Sequence, residues 1–198
     1  MKKETLFAVL TAASLMLTAC GPVKEQAAPQ EAQNFACVTD DNGRTVTFAA
    51  KPERIVVTSA SFLAPLYAVG GEVVGRPMTK SKVIAEAANA ATIGPVYQID
   101  AEKVLSLTPD LVIINKGMNE KLIETLAAND IKTLVVEMKS YDDVKREVGM
   151  FAALTGETEK GHALIEKMDA DIEEVRASIP QEKKRVAIIH STGQGLSV

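Results

Sequence analysis

The run Leu111-Val112-Ile113-Ile114 contains no polar residue, and an uninterrupted apolar strand is what a sheet covered on both faces requires. From Gly43 onward, similar runs closed by turn residues alternate with segments of helical period, the signature of β-α-β units and a mostly parallel sheet. Strands are expected over residues 55–58, 73–74, 111–115 and 133–136. Helices are expected between them. One spans residues 62–69 and stops at Gly70-Gly71, a good C-cap pair; a second spans 101–107 and stops before Thr108-Pro109. A third, over 120–128, carries Leu122, Ile123 and Leu126 on one face. The apolar strand ends in Asn115-Lys116-Gly117, and ligands of open α/β sheets bind outside such carboxyl ends.

Residues 158–179 have no breaker except Gly161 and place Leu164, Ile165, Met168, Ile172, Val175 and Ile179 along one stripe before Pro180. This predicts a helix of about 33 Å, longer than a crossover inside a small sheet needs. Residues 184–190 then read as a new strand, with Ser191-Thr192-Gly193 as the loop after it. A lone strand is not a stable element, so the expectation is a fragment, or a chain that ends inside a second lobe.

The first residues have another logic. Lys2 and Lys3 precede an apolar run over residues 6–17, too short for a membrane span of about 20 residues. Leu17-Thr18-Ala19-Cys20 resembles a lipobox, which makes residues 1–19 a signal peptide and Cys20 the acylated N-terminus. Residues 20–39 begin as an Ala-, Gln-, Glu- and Pro-containing stretch unable to bury apolar surface, and read as a leash. Roughly 160 residues remain, enough for one domain or one and a fraction. The chain has 22 basic and 26 acidic residues, and losing Lys2, Lys3 and Glu4 leaves 20 and 25, a charge near −5 that gives nucleic acid no purchase. With no Trp and few aromatics, broad stacking surfaces for sugars or bases are not expected. Cys37 is left without a partner, either as a small half-buried thiol or as one that pairs outside the chain.

Several words stand in a fixed order. Asp41-x-Gly43-Arg44-x-Val46 and Lys51-Pro52-x-Arg54-Ile55-Val56 come first, then Leu66-x-Ala68-Val69-Gly70, Val74-Gly75 and Ile93-Gly94. The last is Ala101-Glu102-x-Val104-x-x-Leu107-x-Pro109-Asp110-Leu111-Val112-Ile113. In this order and spacing the chain resembles the substrate-binding proteins of ABC importers for iron-siderophores, cobalamin and haem. The resemblance implies a clamshell of two α/β lobes joined by a rigid helix. Residues 40–157 would form the N-terminal lobe and 158–179 the inter-lobe helix, packed by Leu164, Met168 and Ile172; residues 180–198 would begin an incomplete second lobe. It further implies a binding protein with no resident cofactor, not an enzyme. Its partners would be the chelate, an ABC permease with its ATPase, and the outer face of the cytoplasmic membrane through lipid on Cys20.

Four loops would face such a cleft, at residues 59–62, 95–98, 115–118 and 139–141. The ligand candidates in them are Ser59, Ser61, Tyr97, Asn115, Lys116 and Tyr141. Each has a plainer alternative. Ser59 and Ser61 suit the N-cap of the next helix as well as a ligand. Tyr97 matches the region from which haem-binding members present an axial iron ligand, but a loop Tyr also packs or hydrogen-bonds. Lys116 either meets an anionic ligand or is solvated, Asn115 satisfies loop backbone, and Tyr141 opens the following helix. Glu120, with Glu124 one turn on, falls where the family docks a carboxylate onto permease arginines; a helix-start Glu also simply suits the macrodipole.

Other classes fit less well. Zinc and manganese sites need His and carboxylates converging, whereas His162 falls on the exposed side of the long helix and His190 at the end of the last strand. No P-loop or Ser-His-Asp set is visible, and Gly193-Gln194-Gly195 is only half a dinucleotide fingerprint. A surface scavenger of haem or siderophore working without a permease shares every cleft feature. One jaw leaves much of a chelate in water, so this chain alone is expected to bind weakly or not at all.

Overall fold

A computed structural model of the chain describes residues 34–180, 185, 187, 190–192 and 195–197. Cys20 and the lipobox fall outside the described residues. The expected α/β architecture is present, built on a five-stranded parallel sheet. Its strands are β3 (Ile55–Val57), β4 (Val73–Met78), β5 (Ala91–Pro95), β6 (Leu111–Asn115) and β7 (Lys132–Val136), in the order β5-β4-β3-β6-β7. Two of these differ from expectation. β4 is six residues long where a two-residue strand over 73–74 was expected, and β5 was not foreseen as a strand at all.

The apolar runs alternate between two layers, as a parallel sheet buried on both faces demands. Ile55, Val57, Leu111, Ile113, Leu134 and Val136 pack under α1 (Leu63–Ala68) and α4 (Tyr141–Thr155). Val56, Val112, Ile114 and Val135 pack under α2 (Ala101–Ser106) and α3 (Leu122–Ala127), through Val104, Leu122 and Leu126. The first helix is entered through a 3-10 turn, Ala60–Phe62, whose Phe62 ring meets Phe151 of α4 edge-on at 6.3 Å. The third helix is shorter than its expected span, with Glu120 in the turn before it.

Ahead of the sheet stands an antiparallel hairpin, β1 (Ala36–Thr39) with β2 (Thr45–Phe48), which was also unforeseen. Ala36, Val38 and Phe48 join the first core layer. Cys37 alternates with them and is exposed, not half-buried. The turn of this hairpin is held by Asp40, whose buried carboxylate accepts five hydrogen bonds. Asn42 N (3.0 Å) and Arg44 N (2.9 Å) donate to Oδ1, while Arg44 Nε (2.9 Å), Arg44 Nη2 (2.6 Å) and Val135 N (3.1 Å) donate to Oδ2. Asp41 N donates to Val135 O at 2.9 Å, so the hairpin turn covers the edge of β7.

The long helix is present as α5, Thr158–Ser178, one residue shorter than expected. Leu164, Ile165, Met168 and Ile172 are half-buried, whereas Val175 (58 %) and Ile179 (56 %) are exposed. Gly161, which interrupts the helical pattern in the sequence, is where α5 crosses α4. A Cβ there would lie 2.4 Å from Ala152 Cβ, so only glycine permits the approach. His162 is exposed, as its helical position implied. The strand expected over 184–190 falls largely outside the described residues. Within them β8 (His190–Thr192) pairs antiparallel with β9 (Gly195–Ser197), so residues 191–192, expected as loop, are strand.

Candidate functional site

The chain builds β3, β4 and β5 outward in one direction, then returns to lay β6 and β7 on the other side of β3. Adjacent loops therefore leave the carboxyl ends of β3 and β6 in opposite directions, which opens a crevice there. Thr58, buried at this point, stitches the two strand ends. Its N donates to Ile113 O at 2.9 Å, and its Oγ1 accepts from Asn115 N at 2.8 Å.

From this seam toward β5 the surface is concave. A groove of about 390 Å³ is walled by Ser59 and Ser61 after β3, by Met78 at the end of β4 and Thr79, Ser81 and Lys82 after it, and by Val96 after β5. Met78 is 58 % exposed and separates it from a second groove of similar size that includes Gly94, Gln98, Asp100 and Lys103. Gly94 has φ +104°, and a Cβ there would meet Gln98 O at 2.7 Å; the loop folds back over it through Gln98 N to Pro95 O (2.8 Å) and Asp100 N to Ile93 O (2.8 Å). That loop presents Tyr97 outward, 75 % exposed.

A larger hollow, about 600 Å³, lies at the opposite end of the sheet between Arg54, Glu72 and Asn89. It adjoins the amino ends of β4 and β5, where no switch point exists. Arg54 is committed there to Leu107 O (2.7 Å) and Thr108 O (3.1 Å). Volume alone favours this hollow; topology favours the carboxyl-end groove, which we take as the site.

The sequence candidates divide between the two sides of the seam. Ser59 and Ser61 wall the groove. Ser59 is buried and its Oγ caps the 3-10 turn by accepting from Ser61 N at 3.3 Å; Ser61 is exposed. Asn115 ends β6 at the seam, with Nδ2 3.9 Å from Met118 Sδ. Lys116 turns toward the hairpin, donating to Asp41 O at 2.7 Å and lying 3.8 Å from Glu137. Tyr141 opens α4, and its hydroxyl donates to Asp169 of α5 at 2.9 Å beside Lys145. Burial and then the Asp169 carboxylate raise the Tyr141 phenol above its ordinary range.

The β7 side of the rim is thus filled by charges that satisfy one another. Arg146 donates to Asp41 (3.0 Å) and Asp143 (2.9 Å), and Lys139 pairs with Glu137. Asp143 closes a capping box with Ser140 at the start of α4 and is held well below the carboxylate range, first by Arg146. Glu120 accepts from Asn42 Nδ2 (2.7 Å) and Gly117 N (3.1 Å), which hold it below its usual value, whereas Glu124 is exposed on α3.

The sequence reading missed Met78, Thr79, Ser81 and Lys82, because the end of β4 was not located. Asn119 was missed as well, one residue past the loop at 115–118. It is buried, and its Nδ2 donates to Val96 O at 2.9 Å, tying the loop after β6 to the loop after β5. A polar run directly after an apolar strand, as in Thr79-Lys80-Ser81-Lys82, is the signal that marked the other loops.

The chain belongs to the periplasmic binding protein family, whose model matches residues 55–197, well over half of its length. No curated protein sequence matches it. In fold it is similar to the siderophore-binding protein BauB, solved with two molecules of acinetobactin and ferric iron (TM-score 0.69, 16 % identity, 81 % of this chain and 60 % of that one). It is also similar to PiuA, an iron-uptake ABC transporter substrate-binding protein of Streptococcus pneumoniae (TM-score 0.64, 21 % identity, 73 % and 53 %). The periplasmic haem-binding protein HutB of Vibrio cholerae is a third (TM-score 0.64, 21 % identity, 72 % and 57 %). The chain therefore spans between about half and three-fifths of the length of these structures.

Proposed function

We propose that the chain is the N-terminal lobe of an exported substrate-binding protein that captures an iron chelate and delivers it to an ABC permease. The observation that carries this reading is the open groove that runs from beside the β3/β6 switch point toward β5, lined by hydroxyls and a lysine, in a chain of the periplasmic binding protein family. A ferric siderophore ranks first, because hydroxyl and ammonium donors match an oxygen-rich chelate. Haem ranks second, through Tyr97 as a phenolate ligand, and cobalamin third. Solved proteins of the same fold include one holding a ferric chelate and one that binds haem, which supports the first two of these classes without ordering them.

Lipid on Cys20 would hold the lobe at the outer face of the cytoplasmic membrane. Glu124, exposed and uncommitted to any described partner, is the better docking carboxylate; Glu120 is occupied by Asn42 and Gly117. In cells taking up labelled ferric chelate, both Cys20→Ser and Glu124→Lys should lower uptake, the first by releasing the protein from membranes. Unchanged uptake in Glu124→Lys would remove docking through α3.

The ligand is tested by absorption titration with haemin, ferric siderophores and cobalamin. Ferric siderophore is expected to bind best, with this chain alone binding weakly. A tight haemin complex whose charge-transfer band disappears in Tyr97→Phe would reverse the ranking. Binding of Zn²⁺ or Mn²⁺ with none of the three chelates would overturn the class.

A further inference from the structure

The loop after β5 leans on one amide. Val96 is half-buried and walls the groove on its β5 side, and Tyr97 beside it is 75 % exposed. Among the described residues, the only side-chain hydrogen bond that reaches residues 96–98 is the one from Asn119 Nδ2 to Val96 O, at 2.9 Å. It comes from the loop after β6, although β3 and β4 stand between β6 and β5 in the sheet. The two loops meet because both turn to the same face. β5 leads into α2 and β6 into α3, and these helices share the second core layer, whereas the loop after β3 leaves for the other face through α1. The bond therefore spans the far side of the crevice that the reversal of strand order opens.

Stability does not account for this amide. Asn119 is 4 % exposed, and its Oδ1 is buried with no hydrogen-bond partner among the described residues. The one bond made by Nδ2 contributes modestly, whereas a buried acceptor left open costs at least as much. Nor does the turn need the side chain. Asn119 N donates to Asn115 O at 3.2 Å and Leu122 N donates to Asn119 O at 3.0 Å, both through the main chain. We propose that Asn119 is the positioning residue of the groove, holding Val96, and Tyr97 with it, at a fixed span from Ser59 and Ser61. This assignment rests on the iron-chelate reading above and adds the residue that sets the width of its site. Buried itself, Asn119 acts through Val96 and does not touch the ligand. A wall already held in place spares the ligand the entropic cost of ordering it on binding.

Two variants of the full chain test this. Asn119→Leu keeps the size of the side chain and removes the donor. Asn119→Asp keeps its shape and makes donation depend on a proton, because a carboxylate only accepts whereas a carboxylic acid also donates. Without ligand, nuclear magnetic resonance relaxation should show the order parameters of residues 96–98 in Asn119→Leu falling below about 0.6, with the rest of the lobe and the melting temperature close to the parent's. Titrated with a ferric trihydroxamate, which keeps its iron in mild acid, Asn119→Leu should bind about tenfold more weakly than the parent. Asn119→Asp should match Asn119→Leu at about pH 7 and recover toward the parent at about pH 4.5, where burial keeps its carboxyl protonated. A loop that stays ordered in Asn119→Leu, an affinity unchanged once the loop is loose, or an Asn119→Asp deficit equal at both pH values overturns the positioning role and leaves the iron-chelate reading standing. A collapse of the melting temperature in both variants does the same, by making the amide a contact of the fold. Failure of the parent to bind this chelate, a ferric catecholate or haemin overturns the iron-chelate reading together with this one.

Discussion

Asp40→Ala should cost about 3–5 kcal/mol of stability, the loss typical when one partner of a buried charged pair is removed. The carboxylate has no exposed surface, and truncation strips five donors of their acceptor, among them the Val135 amide on the edge of β7. Arg44 survives in part because its own side chain is 38 % exposed and can turn to water. The same group sets the acid limit. Burial works to raise its pKa, but the Arg44 guanidinium and the amides of Arg44 and Val135 outweigh it and hold it below the ordinary value of 3.8. A depressed folded-state pKa means a contribution that is complete above the unfolded value and is lost as pH falls through the folded one. Denaturant melts should show Asp40→Ala far less stable than the parent at pH 7, with the gap closing in strong acid. A loss below about 1 kcal/mol would mean that water replaces the lost acceptor, contrary to the closed geometry.

Glu147 sets the opposite limit. It is 1 % exposed on α4, and neither carboxylate oxygen has a hydrogen-bond partner among the described residues. Burial, reinforced by the Asp41 carboxylate and partly offset by Arg146, pushes its pKa up to about 8 from 4.5. The folded state therefore keeps a proton that the unfolded chain has released across that window, and stability falls as pH rises through it. The slope approaches about 1.4 kcal/mol per pH unit, a total of a few kcal/mol. Glu147→Gln removes the ionisation. Its melting temperature should match the parent's near pH 4, exceed it increasingly from about pH 5 to 8, and differ by a constant amount above that. Parallel curves for the two proteins from pH 4 to 9 would show that Glu147 finds a counter-charge in solution.

How much of this was legible in the chain depended on whether burial left its pattern in consecutive residues. β3, β6 and β7 are covered on both faces, so they are spelled as apolar runs and were read directly. β4 was cut short at Val74 because Gly75, Arg76 and Pro77 break its run. Their reasons are tertiary. A Cβ on Gly75 would meet Leu107 Cδ1 at 2.6 Å, and Arg76 reaches Ala87 O at 2.9 Å. β5 is an edge strand with only Ile93 and Gly94 buried, too little to register as a pattern.

The site followed the strands. Ser59 and Ser61 were found because they follow a recognisable strand, and residues 79–82 were not because the end of β4 was hidden. The destination of Lys116 was fixed by Asp41, far away in sequence, and nothing local in Asn115-Lys116-Gly117 records it. Tyr141 is different, since its place at a helix start was legible while its partner Asp169 was not.

The central claim is that ligand is taken at the carboxyl-end groove between β3 and β5, on a lobe whose β7 side is closed by its own charges. Nuclear magnetic resonance of the labelled chain with a paramagnetic ferric chelate tests this most directly, because weak binding suffices and broadening falls off steeply with distance from iron. The account predicts loss of amide signals at residues 59–61, 79–82 and 96–98, with residues 139–147 little affected. Broadening centred instead on Arg54, Glu72 and Asn89, in the larger hollow at the amino ends of the strands, would contradict it.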